Sequence, residues 1–172
     1  VIFYSATIPP QGLLEAVFPN QSVTLKLYKN PGYQQGAKLA VEKGFAEGWF
    51  IDYDWVIRVN PDVLIIEDAW LTQTMLDTNA DGIFADCDDE CRKPNCNVRQ
   101  TNTDFFAVRP SALRADAFTK VDWLAQAEVQ ATFAFGDIVA NGRDRWIVGT
   151  KMGGGECRIR GDGVPVQHLH QQ

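Results

Sequence analysis

Short apolar runs rich in β-branched and aromatic residues alternate along this chain with segments whose apolar residues recur at helical spacing. That alternation most constrains the fold: it argues for an α/β domain rather than a block of strands followed by a block of helices. The candidate strands are residues 1–5, 23–28, 55–59, 83–86, 105–108, 146–149 and 164–168. After the Asn30-Pro-Gly32 turn, Ala37, Ala40, Val41, Gly44 and Phe45 form the stripe of a first helix. A second helix over 68–77 takes Asp68 as its N-cap and turns Trp70, Leu71 and Met75 inward. A third follows Pro110-Ser111, and a longer fourth buries Leu124, Ala127, Ala131, Phe135 and Ile138. The expectation is one α/β domain over 1–172, with a mixed, mostly parallel central sheet flanked by helices. No repeat or linker divides it. The chain opens inside a candidate strand and without Met, so it reads as a domain excised from a longer chain.

At 172 residues and 45% hydrophobic, with five Trp and ten Phe, the chain has material for a packed core. Its net charge of -6, without a Lys/Arg run, argues against nucleic acid or an anionic membrane surface as partner. Apolar stretches such as Val63-Leu-Ile-Ile66 fall far short of the roughly 20 residues of a membrane span. Cys87, Cys91, Cys96 and Cys157 lack the spacing of a zinc knuckle, which leaves disulfides, free thiols or a structural zinc open. Asn20-Gln-Ser22 is a glycosylation sequon. Met152-Gly-Gly-Gly-Glu156 is either a plain surface loop or one that closes over a ligand, and Arg160-Gly-Asp162 is a turn.

Two acidic pairs compete as sites. Asp52-Tyr-Asp54 has the spacing of phosphatases that form an aspartyl phosphate, but the apolar strand follows the pair, whereas open α/β sheets gather ligands beyond the carboxyl ends of strands. It reads as a polar helix-to-strand turn. Asn60-Pro-Asp62 lies just after the 55–59 strand, where an amide oxygen and a carboxylate can hold a hard divalent cation and leave positions for phosphate oxygens. The same residues also suit an ordinary β-turn. Both histidines of the chain, His168 and His170, share one face if the last strand continues, and an imidazole added to oxygen ligands suits Mn²⁺. The plainer alternative is that they are solvated.

The order of these features resembles the GT-A-fold glycosyltransferases. It is carried by the first strand, by Tyr28-Lys-Asn-Pro-Gly-Tyr-Gln-Gln-Gly-Ala37, by Tyr53-Asp-Trp-Val-Ile-Arg-Val-Asn-Pro-Asp-Val-Leu-Ile65, by Thr103-Asp-Phe-Phe-Ala-Val-Arg-Pro-Ser-Ala-Leu113 and by the terminal histidines. Within that fold the chain resembles the chlorovirus capsid-decorating enzymes and their plant and algal relatives. The resemblance implies a single GT-A-like, Rossmann-related domain that moves a sugar from a nucleotide donor to a hydroxyl of a glycan or glycoprotein. It suggests a uridine diphosphate donor carrying rhamnose or glucose, with Mn²⁺ or Mg²⁺ clamping the diphosphate. The DxD pattern of the fold departs here to Asn60-Pro-Asp62, which leaves Asp62 as the strong ligand and calls on His168 or His170 to complete the site.

By the same resemblance, Ser5, Ala6 and Thr7 hold the nucleoside. Arg58 reaches the phosphates or the sugar, unless it is a solvated strand-end arginine. Asp104 accepts from sugar hydroxyls, unless it merely caps a strand end. Glu128, or in second place Asp137, is the base that takes the acceptor's proton in an inverting transfer. A sugar- or nucleotide-binding module without turnover, and a metal-dependent phosphohydrolase built on Asp52 and Asp54, are the alternative functions.

Overall fold

Ile83-Phe-Ala85 and Phe105-Phe-Ala-Val108 are fully buried, as strands covered on both faces must be, and they form the middle of the molecule. A computed structural model of the chain describes residues 1–29, 31–87, 100–114, 116–118, 127–147 and 165–168. The strands are β1 (Ile2–Ser5), β2 (Thr24–Leu27), β3 (Val56–Val59), β4 (Val63–Ile65), β5 (Gly82–Cys87), β6 (Gln100–Val108), β7 (Asp144–Ile147) and β8 (Val166–His168). The helices are α1 (Leu13–Val17), α2 (Tyr33–Ala46), α3 (Asp68–Leu76), α4 (Ala127–Ala134) and α5 (Gly136–Ala140).

Because side chains alternate along a strand, Ile83, Ala85, Phe105 and Ala107 face one layer while Phe84, Phe106 and Val108 face the other. The first layer is closed by Leu71 of α3, Val63 of β4 and Val166 of β8, with Trp55, Trp70 and Met75 packed around them. Ala131 and Ala134 of α4, Ile138 of α5 and Phe135 between the two helices close the second, together with Phe118 and with Val41 and Phe45 of α2. Phe135 is its hub: the ring stacks on Phe84 at 4.8 Å and meets Phe106 at 5.0 Å and Phe118 at 5.7 Å, edge to face.

The central sheet runs β3-β6-β5-β7. It is mixed, as expected, but not mostly parallel: β6 is antiparallel to both β3 and β5, and only β5 and β7 run parallel. The reason lies in β6, which passes back between strands of the opposite direction. Beside this sheet, β1 and β2 pair in parallel and β4 pairs antiparallel with β8. The 1–5, 23–28, 55–59 and 83–86 strands and the first two helices stand where the sequence places them. Asp68, however, lies inside the first turn of α3, and the N-cap is Glu67, which makes no side-chain cap bond. The helix expected after Pro110-Ser111 is a single 3-10 turn, Pro110–Ala112. The long fourth helix is broken at Phe135, ahead of Gly136, although its stripe of Ala127, Ala131, Phe135 and Ile138 is buried as expected. Leu124 lies outside the described residues, as do Cys91, Cys96, Cys157, the Gly153-Gly-Gly155 loop and Arg160-Gly-Asp162. Asn20 of the sequon is exposed in a left-handed turn (φ 63°), a conformation asparagine tolerates. Among the described residues no helix is long and apolar enough to cross a membrane.

Candidate active site

Strand β3 ends at Val59, and the chain turns at once: the Val63 N–H donates to the Asn60 carbonyl at 3.0 Å. Pro61 and Asp62 form the exposed tip of this turn. Across from it runs β6, whose register slips. Phe84 pairs with Phe106 but Asp86 pairs with Thr101, so Ala85 alone spans residues 102–105 of the partner strand. Such a bulge re-aims side chains. Asp104 meets the turn because the regular β3–β6 register continues one step beyond Val59↔Phe105: the Asn60 N–H donates to the Asp104 carbonyl at 2.8 Å, and the Asn60 side-chain amide donates to Asp104 Oδ1. Asp104 therefore lies inside β6 and does not cap a strand end.

Next to Asp104 the bulge sends Thr103 toward α4. Its hydroxyl donates to Glu128 Oε1 at 3.0 Å, and Thr132 ties the same turn down by donating to the Glu128 carbonyl at 2.7 Å and accepting from the Thr101 N–H at 3.0 Å. Glu128 is half-buried in the first turn of α4, so its carboxylate is held rather than free in solvent. Asp137 sits in the first turn of α5, 63% exposed, with Arg114 as an ion-pair partner at 3.6 Å. The described contacts do not join it to the Asn60 turn.

Arg58 has an unusual place. In Val56-Ile-Arg-Val59 the arginine is buried at 8% exposure, while Ile57 and Val59 are 40% and 38% exposed. The solvated strand-end reading is thus excluded. Its Nε and Nη1 have no hydrogen-bond partner among the described residues. The positive charge is felt by Tyr28, whose phenol burial and the neighbouring Tyr4 push above its ordinary pKa while Arg58 pulls it down. Tyr28 packs on Tyr4 at 5.9 Å and donates to the Gly36 carbonyl at 3.4 Å, and its own N–H is bonded to the Ser5 carbonyl at 3.1 Å. Through Tyr28, the loop after β1 and Arg58 belong to one neighbourhood. In that loop Thr7 N–H donates to Ser5 Oγ at 3.2 Å, and Ala6 and Thr7 are exposed.

The pairing of β4 with β8 sets His168 opposite Val63, so its backbone lies beside Asp62. His170 falls outside the described residues. Donors of the right kind for a hard cation, the carboxylates of Asp62 and Asp104, flank the turn, but among the described residues no group of three or more His, Cys, Asp or Glu side chains is set to hold a metal. Asp52 and Asp54 are both exposed on the segment entering β3, far along the strand from its carboxyl end. Sequence reasoning passed over Tyr28 as a site residue, and also Asn102 and Thr103. The available signal was Thr101-Asn-Thr-Asp104, an unbroken run of hydrogen-bonding side chains directly ahead of an apolar strand.

No protein-family model matches this chain, and no curated protein matches it either.

Proposed function

We propose that the chain is a metal-dependent glycosyltransferase that moves a sugar from a uridine diphosphate donor, with rhamnose or glucose as the sugar, to a hydroxyl of a glycan or glycoprotein. The observation that carries this reading is Arg58: a buried guanidinium whose Nε and Nη1 are unpaired among the described residues, placed just before the turn that bears Asp62. Each buried donor left unpaired costs about 1–3 kcal/mol, so a fold that keeps one inside gains when an anion fills the place. A diphosphate is such an anion, and arginine's fork suits it.

In this reading Ser5, Ala6, Thr7 and Tyr28 line the nucleoside, and Arg58 binds a phosphate oxygen. Asp62, with His168 or His170, would hold Mn²⁺ or Mg²⁺, which supplies charge neutralisation for the departing diphosphate. Asp104 accepts from the sugar hydroxyls. Glu128, aligned by Thr103, takes the proton of the acceptor hydroxyl as that oxygen attacks the anomeric carbon from the side opposite the leaving group, so the configuration inverts. An acidic protein of net charge -6 can accommodate an anionic donor this way because a local cation and a local guanidinium set the potential where the phosphates lie.

Thermal unfolding with a panel of nucleotide sugars tests this. A ligand at a hundred times its Kd stabilises by about 2.7 kcal/mol, so a uridine diphosphate sugar with Mn²⁺ should raise Tm visibly, and chelator should erase the shift. A shift that survives chelator rejects the metal clamp; no shift with any nucleotide sugar rejects the donor.

A further inference from the structure

We infer that Asn60 serves this site by clasping Asp104, not by ligating the cation; the inference rests on the transferase reading above. The pair is joined twice, main chain to main chain at 2.8 Å and side-chain amide to Asp104 Oδ1. The Asp104 N–H is held in turn by Asn102 Oδ1 at 2.6 Å, so its carbonyl, amide and carboxylate are all engaged by fixed neighbours.

A carboxylate only accepts hydrogen bonds, so the part of Asn60 turned to Asp104 must be its NH₂ group. An aspartate at position 60 would set one acceptor against another. That is a physical reason for the departure from the DxD pattern: the first position is given to a donor because β6 delivers a carboxylate directly opposite. Asn60 is accordingly a positioning residue, and Asp104 is the group that meets the sugar. Pinning a side chain before the ligand arrives spares the entropy of ordering it during binding.

The test uses the whole chain and four variants: Asn60→Ala, Asp104→Ala, the two combined, and the reciprocal exchange of Asn60→Asp with Asp104→Asn. Melting in chelator gives a double-mutant cycle independent of any activity. The combined variant should melt no lower than Asp104→Ala alone, and the exchange, which restores a donor facing an acceptor, should recover the Tm lost in Asn60→Ala. Losses that add, with no recovery in the exchange, overturn the clasp. Mn²⁺ alone, titrated without donor, separates the two roles: Asn60→Ala should keep the affinity of the parent chain while Asp62→Ala loses it, and equal losses make Asn60 a ligand after all. With donor, Asn60→Ala and Asp104→Ala should each weaken the intact nucleotide sugar about tenfold, the worth of a hydrogen bond to a charged group, and leave uridine diphosphate itself unchanged. Equal weakening of both ligands rejects the positioning role. A parent chain that binds no Mn²⁺ rejects the transferase reading, and the melting cycle still decides the clasp.

Discussion

Arginines stand at both ends of the central sheet, in opposite circumstances. Where β3, β5 and β7 begin, Arg109 donates to the carbonyls of Ala80 and Met75 at 3.0 Å each, and its guanidinium lies 4.6 Å from the centre of the Trp55 ring. Arg143 binds both oxygens of Asp81 and the Thr78 carbonyl, and Arg145 reaches Asp77 at 2.7 Å. At the other end, Arg58 is more deeply buried than any of these and two of its nitrogens are unpaired among the described residues. The difference separates two uses of one residue type. Arginines that are saturated by the protein hold elements together; one that is buried with nitrogens unpaired among the described residues is, in the proposed function, the one that meets the diphosphate.

The sharpest way to break this comparison is at the site end. Glu128→Gln should bind donor as before yet lose turnover by about 10²–10⁴-fold, the usual worth of a positioned base. Unchanged transfer in a single-turnover assay removes Glu128 from the mechanism. Next in size, Arg58→Met should weaken binding of uridine diphosphate by about tenfold or more without lowering Tm, because it removes a buried charge whose Nε and Nη1 have no hydrogen-bond partner among the described residues. Arg109→Met should do the reverse: donor affinity stays, while stability falls by about 1–3 kcal/mol as the carbonyl of buried Ala80 loses the Arg109 donor, the Met75 carbonyl keeping the Trp55 indole N–H. If calorimetry and melting give the same pattern for both arginines, the ends are not different in kind.

The smallest effect concerns acid. The hydrogen bond from Arg143, reinforced by the charges of Arg143 and Arg109 and opposed by burial, holds Asp81 below the usual carboxylate pKa. The Asn79 N–H and Arg145 do the same for Asp77. Lowered folded-state values mean that this stability is complete above the ordinary carboxylate range and is lost as pH falls through the folded values. Tm should therefore decline below about pH 4, and Asp81→Asn should flatten part of the decline. A full decline in that variant places the acid-sensitive groups elsewhere.

What the sequence made legible follows the same division. β1, β2, β3, β5, α2, α3 and the Ala127-to-Ile138 stripe announce themselves by apolar period, since burial selects those residue types. The site is where the pattern fails. Val-Ile-Arg-Val reads as a strand with its arginine outward, yet the fold turns Arg58 in and Ile57 and Val59 out. β6 extends back to Gln100 through Thr101, Asn102 and Thr103, which are buried polar residues that no hydrophobic count includes. Its bulge depends on pairing with β5, a long-range event with no local signature. α1 has no buried residue to mark it, and β4 is too short for a period to show. Asn60 and Asp62 were visible because a strand followed by a turn is a local feature; the clasp to Asp104, from a distant strand, was not. Sequence and structure thus agree where burial sets an apolar period, and part company where pairing between distant strands places a polar or charged residue.

The aromatic hub has a bearing on precision. Phe135 is locked among Phe84, Phe106 and Phe118, and Glu128 sits on the adjoining helix. From hub to carboxylate the helix is a lever about 10 Å long at 1.5 Å per residue. On an arm of that length a tilt of roughly 5° displaces the tip by about 1 Å, which in the proposed transfer would cost some hundredfold in rate. The packing of these rings thereby sets the mechanical tolerance of the Glu128 carboxylate, two turns of helix away.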